Sequence, residues 1–161
     1  MGHFDETICD CCVCPMQCVL DQLRNTENPV VIFTTTLGNF DLTITEVNDF
    51  IVSGTGAGGG TVRNFPICNV SGVSNIPLSR QVKLKPNRTS VKGECSCCED
   101  PTNQLLRTLS REQLFNLRFL VGTAIGFISD IGEGIVMIQS QDGTMKTAVS
   151  ICSLNRIGPN L

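Results

Sequence analysis

The chain repeats itself, and a repeat constrains the fold before any local motif does, because each copy must be one structural unit. Residues 8–23 read ICDCCVCPMQCVLDQL, and residues 94–109 read ECSCCEDPTNQLLRTL. At an offset of 86, Cys9, Cys11, Cys12, Pro15, Leu20 and Leu23 fall on Cys95, Cys97, Cys98, Pro101, Leu106 and Leu109. Further on the offset becomes 84. Gly38, Ile44, Ile51, Val52, Gly59, Ile67 and Cys68 then meet Gly122, Ile128, Ile135, Val136, Gly143, Ile151 and Cys152. The two-residue slip lies between Leu23 and Leu37, where a connection would sit. Each copy is a cysteine-rich head, a short apolar helix candidate, and a body rich in β-branched residues.

The bodies read as antiparallel meanders. In the first, VVIFTTTL (30–37), FDLTITEV (40–47), FIVS (50–53) and TVRNFPICNV (61–70) are separated by Gly38-Asn39, Asn48-Asp49 and a GTGAGGG loop. The second gives RFLVG, TAIGFISDI, GIVMIQ and MKTAVSICSL, with turns at Gly132–Gly134 and Asp142-Gly143. Short β-branched runs between turn residues are strands, and Asp-Gly is a strong hairpin signal. Helices are expected at Met16–Arg24 and, from the stripe of Leu105, Leu106, Leu109, Leu114 and Leu117, at Asn103–Leu117 with an interruption near Ser110. So few short strands avoid exposed edges most economically by closing, which predicts a mainly β chain: a tandem duplication of a small antiparallel β-barrel. The predicted organisation is a head and connector at 1–19, a first barrel-like unit at 20–77, a basic linker at 78–93, and a second head with its unit at 94–161. A helix before a meander resembles the SH3-like and Sm-like small barrels in the order of elements alone. The acidic-glycine and arginine-glycine signatures that carry uridine binding in the Sm family are absent from the sequence, so RNA binding does not follow.

Units of this size sit where a core alone is marginal and covalent or metal staples help. Ten cysteines in 161 residues supply the material for staples. They suggest an oxidising environment. Yet MGHFDETICDCC has neither the basic start nor the apolar run of a secretory signal. No stretch approaches the ~18–20 apolar residues of a membrane span. The conflict is resolved if the thiols bind metal, stay reduced, or meet air when the producing cell lyses. A net charge of −3 gives no general attraction to nucleic acid or anionic lipid. The exception is local: Arg80, Lys83, Lys85, Arg88 and Lys92 follow one another with no acidic residue between them. Such a run is ordinarily a solvated linker; docking to an acidic neighbour, or adding a strand at a sheet edge through Val82 and Leu84, are the alternatives.

Several motifs bear on chemistry. Gly54, Gly56 and Gly59 match the dinucleotide fingerprint, but that site needs a helix next and a strand follows, so a flexible hairpin loop is expected. Cys9, Cys12, Cys95 and Cys98 form two C-x-x-C pairs, the ingredients of a four-thiolate zinc site. Against zinc, the duplication already explains the second pair, and Cys11, Cys14, Cys18 and Cys97 are left over. Disulfides account for more of the pattern, since adjacent thiols such as Cys11-Cys12 and Cys97-Cys98 do not readily bond each other and face outward to another element or chain. Cys68 and Cys152, at equivalent points of each unit's last strand, read either as small buried apolar residues or as strand-to-head staples within a unit. Catalysis has little support: the one histidine, His3, lies near the chain start, and no general base stands ready for a nucleophilic cysteine. The chain is expected not to be an enzyme and to need no cofactor, zinc being the alternative.

The head, with Cys11-Cys12, Pro15-Met16, Val19-Leu20 and Gln22-Leu23 before a β-rich body, is similar to the cysteine-rich proteins of Bacillus-type spore coats and exosporia. The second head departs from it: Thr102 stands for Met16, Asp100 for Cys14 and Gln104 for Cys18. The resemblance implies a structural spore-surface protein, made in the mother cell without a signal peptide and oxidised as that cell dies. It implies a layer, filament or appendage of copies of this chain, with other cysteine-rich spore-surface proteins as further partners and neither nucleic acid nor membrane. All ten cysteines (Cys9, Cys11, Cys12, Cys14, Cys18, Cys68, Cys95, Cys97, Cys98 and Cys152) are then cross-linking candidates. The richer first head would carry more of the bonds between subunits. The alternative is a zinc-stabilised module recruiting a protein or RNA partner.

Overall fold

The structure, a computed structural model, describes residues 12–86 and 94–159, with residues 94–99 as backbone only. Two helices and ten strands follow the repeat closely. The first half runs α1 (Val13–Gln22), β1 (Val30–Thr34), β2 (Gly38–Asn48), β3 (Ile51–Thr55), β4 (Val62–Pro66), a 3-10 turn at Ile67–Asn69, and β5 (Val70–Pro77). The second runs α2 (Glu94–Thr108), β6 (Leu114–Phe119), β7 (Gly122–Gly132), β8 (Ile135–Gln139), β9 (Met145–Ser150), a 3-10 turn at Ile151–Ser153, and β10 (Leu154–Pro159). The two-residue slip falls in the connection from helix to first strand, 24–29 against 110–113.

Helix α1 carries Pro15 in its first turn, where the missing N–H costs nothing. It buries Pro15, Met16, Val19 and Leu20 at the three- and four-residue spacing of one helical face. Its end is fixed by Leu23 N–H donating to Leu20 C=O, and by Asn25 in the left-handed region (φ 55°) donating to Ile44 C=O at 2.8 Å. The second helix departs from the sequence expectation: it begins earlier and stops at Thr108. Ser110 does cap a turn, accepting from Glu112 N–H at 3.3 Å, but Leu114 and Leu117 belong to β6, where Leu117 is buried in the second core and Leu114 is half-buried. Phe115, Leu117 and Phe119 are the buried positions at a strand's period of two, and the sheet decides against the helical reading of this stretch.

The strand order is β10-β6-β7-β8-β9-β5-β1-β2-β3-β4, antiparallel throughout. This is one open ten-stranded sheet made of two halves with the same internal order. The expected closure of each unit on itself is not seen: β4 does not pair with β5, because β5 pairs instead with β9 of the other half. The sheet thus uses the edge that closure would have used to join the halves. The long strands β2 and β7 each serve two neighbours, changing partner half-way along with a register shift at Ile44/Glu46 and Ile128/Asp130. Such irregularities let a strand bend and twist.

The joint shows in the cores. The first gathers α1, β1, β2 and β5 and reaches across to Ile135, Met137 and Ala148; the second takes Val136, Ile138 and Val149 from the same two strands. Strands β8 and β9 therefore bury both faces, one against each core. The segment 78–86 is held to its own chain: the Gln22 side chain donates to Lys83 C=O at 2.9 Å and accepts from Lys83 N–H at 2.8 Å, and the Arg80 guanidinium donates to Gln22 C=O. Val82 and Leu84 pack on the first core, while Lys83 and Lys85 stay exposed. Residues 87–93, with Arg88 and Lys92, lie outside the described residues.

The β8–β9 turn makes a pH prediction. Asp142 accepts from Ser140 Oγ, Thr144 N–H and Thr144 Oγ1, and these bonds, Ser140's largest, hold its carboxyl below the ordinary value of 3.8. A lowered carboxylate pKa stabilises the fold above the unfolded value, and that contribution fades as pH falls through the folded one. The Thr144 amide resonance should therefore titrate with a midpoint below pH 3.8 in an NMR experiment. A midpoint at or above that value would refute the assignment.

Candidate functional site

The site with the most chemistry is a disulfide that spans the joint. Cys12, buried at the start of α1, is bonded to Cys152 on the 3-10 turn of the second half, with Cα atoms 6.1 Å apart and 140 residues between them. Cys152 N–H lies 3.3 Å from Cys12 Sγ, closing the contact further. Two local features present Cys152. The chain leaves β9 at Ser150 with extended backbone and makes a single 3-10 turn, and Ile151 N–H donates to Gly134 C=O at 2.9 Å. Buried Ile151 anchors the turn and turns Cys152 outward. The first half repeats this: Ile67 N–H donates to Phe50 C=O at 2.8 Å, Ile67 is buried, and Cys68 is exposed.

The staple therefore joins strand region and head, as one sequence reading proposed, but between the halves and not within a unit. Head-to-tail pairing of the halves is the reason, because it sets the α1 end of the first half beside the β9 end of the second. The other sequence reading, a buried apolar cysteine, fits neither residue. Cys68 is exposed and its thiol is free; Cys152 is exposed and bonded. Both lie on a 3-10 turn and not within a strand.

The remaining cysteines divide clearly. Cys14 is also disulfide-bonded. Cys18 is free and half-buried, with Gln22 Nε2 3.7 Å from its sulfur. Cys9 and Cys11, and the side chains of Cys95, Cys97 and Cys98, lie outside the described residues, as does His3. For the four-thiolate zinc alternative of Cys9, Cys12, Cys95 and Cys98, Cys12 has its sulfur in a disulfide and is not a thiolate ligand in this oxidised form. Among the described residues no group of three or more His, Cys, Asp or Glu is placed to hold a metal ion. The glycine motif is a loop between paired strands β3 and β4, with Gly58, Gly59 and Gly60 at φ 87°, 81° and 127°. No helix among the described residues is long and apolar enough to cross a membrane.

Sequence reasoning missed the joint itself and the fifth strand of each half. One signal was present. Ile135–Ile138 is an unbroken apolar run, the mark of a strand buried on both faces, whereas its counterpart Ile51-Val52-Ser53-Gly54 stops being apolar after two residues. Comparison with family models, with curated proteins and with solved structures finds no match for this chain.

Proposed function

We infer that the chain is a self-assembling structural protein of the bacterial endospore surface, in coat, exosporium or appendage, whose subunits are cross-linked by disulfides. The observation that carries this reading is the Cys12–Cys152 staple laid across a non-covalent strand joint. A disulfide across a strand joint supports assembly in which packing first brings two thiols together and oxidation then locks them. Between subunits such a bond acts as a block to dissociation more than as equilibrium stability. The head's likeness to spore-surface proteins supplies the location, and the partners are copies of the chain and other cysteine-rich proteins of that surface. On the same reading it is not an enzyme and uses no cofactor. Each half is read as an opened relative of the SH3-like or Sm-like small-barrel unit, with one helix, five strands in the order β5-β1-β2-β3-β4 and a long bulged second strand, its closing edge given over to the joint.

The test is immunogold labelling of spores with stepwise extraction. Label on the outer layers, and release of the chain only when detergent is joined by a thiol reductant, is the expected result. Release by detergent alone would count against cross-linking. About one zinc per purified chain would favour the zinc-stabilised module instead.

A further inference from the structure

The second half carries two arginines side by side where the first half carries none. Arg156 of β10 stands directly opposite Arg118 of β6, and Arg118 directly opposite Thr123 of β7, so the three form one row on one face of the sheet. In the first half the equivalent pair, next to the same bulge, is Phe33 and Gly72. There the joint fills the place: Phe119 meets the Phe33 ring edge-on at 5.2 Å.

Like charges directly opposite one another on paired strands repel. Among the described residues neither guanidinium has an ion pair or a hydrogen bond. The Arg156 guanidinium lies back along its own strand beside Gly158, where an added Cβ would stand 3.7 Å from its Nε. Opposite Gly158 is Asn116, whose side-chain oxygen is buried and accepts from no donor among the described residues. Leu120, on the rim of the same cleft, is 62% exposed among those residues. The described cleft thus lacks two negative charges, one N–H donor and an apolar cover. An inorganic anion would supply only the charges, whereas a short acidic peptide with an apolar residue supplies all three.

The chain owns such a peptide. Residues 1–11, MGHFDETICDC, contain Phe4, Asp5, Glu6 and Asp10 and neither lysine nor arginine. They join the described structure at Cys12, whose Cα is 6.1 Å from that of Cys152. Arg156 follows Cys152 by four residues, at most about 14 Å of chain, and the seven residues from Cys12 back to Asp5 span up to about 25 Å. The arginines therefore fall within the tether's length, and a short tether supplies its ligand at an effective concentration on the order of millimolar. We propose that residues 4–6 dock in this cleft of their own molecule, with the Asp5 and Glu6 carboxylates on Arg118 and Arg156 and Phe4 against Leu120. The contact lies within one copy and stands apart from the self-assembly reading.

Chymotrypsin cleavage after Phe4 in the oxidised full-length chain at low salt, followed by mass, tests it. Arg118→Gln/Arg156→Gln should be cut about fivefold faster than the parent, the size of two exposed ion pairs. Both arginines are exposed, so this variant should fold as the parent does by circular dichroism. Asp5→Asn/Glu6→Gln leaves the described body untouched. Its rate, divided by that of a free peptide of its own residues 1–8, should exceed the parent's ratio by the same factor. Combining the two pairs of substitutions should add nothing further, because each removes the same contact. Equal rates in the parent and Arg118→Gln/Arg156→Gln overturn the proposal and leave the arginines as charges that guard a sheet edge. Protection that is lost on dilution also overturns it, in favour of a segment from a second copy.

Discussion

Replacing Gly54 with isoleucine should destabilise the oxidised chain by about 3 kcal/mol, at the upper end of what overpacking costs. A Cβ at residue 54 would fall on Thr43 C=O and lie 2.9 Å from Leu42 Cγ. The second half meets the same crowding the other way round: a Cβ at Gly126 would fall on Gln139 C=O and lie 2.8 Å from Ile138 Cγ2. Residue 126 is the counterpart of Leu42, and Ile138 the counterpart of Gly54. Where the bending strand crosses its neighbour there is room for one large side chain, and the two halves place it on opposite strands. Leu42→Gly alone should cost about 4 kcal/mol as a core truncation. The double variant Leu42→Gly/Gly54→Ile, which copies the second half's arrangement, should lose about 2 kcal/mol less than the sum, a coupling of the size contacting residues show. Urea unfolding of the four proteins measures it, and strict additivity would refute the shared space.

Removing the staple should cost as much or more. Cys152→Ser opens a covalent loop of 140 residues, which the chain-entropy account values at about 4–5 kcal/mol and measurement of native disulfides at about 2–5. Cys12→Ser should give the same loss, because the bond is one object with two ends. Cys68→Ser should change stability by less than about 0.5 kcal/mol, its thiol being free and exposed. Equilibrium unfolding of the three variants without reductant is the measurement. Equal losses from Cys68→Ser and Cys152→Ser would show that the two turns are equivalent in solution, contrary to the structure.

Most of the strand positions were legible because the repeat doubled every weak signal: Gly38 and Gly122 open equivalent strands, and Asp142-Gly143 marks the hairpin that the glycine loop marks less clearly in the first half. The break before the fifth strand was not legible. Phe65-Pro66-Ile67-Cys68-Asn69-Val70 reads as one extended run, and the 3-10 turn within it is held by a long-range bond from Ile67 N–H to Phe50 C=O, which no local pattern reports. Local propensity was also silent on how the halves meet. That depends on which edge finds a partner, a choice made by tertiary packing. Among the cysteines, the richness of the head was visible, but the pairing of Cys12 with Cys152 was not, since connectivity does not follow from spacing.

The bond from Cys12 to Cys152 also decides how the molecule bears load. Tension entering the chain before residue 12 and leaving after residue 152 runs straight through two sulfur atoms. It bypasses the 140-residue loop, which contains nine of the ten strands and both cores. Among the described strands only β10, beyond the staple, stands in the line of force. A chain strung in series by its ends would stretch at its connections and leave its folded body slack.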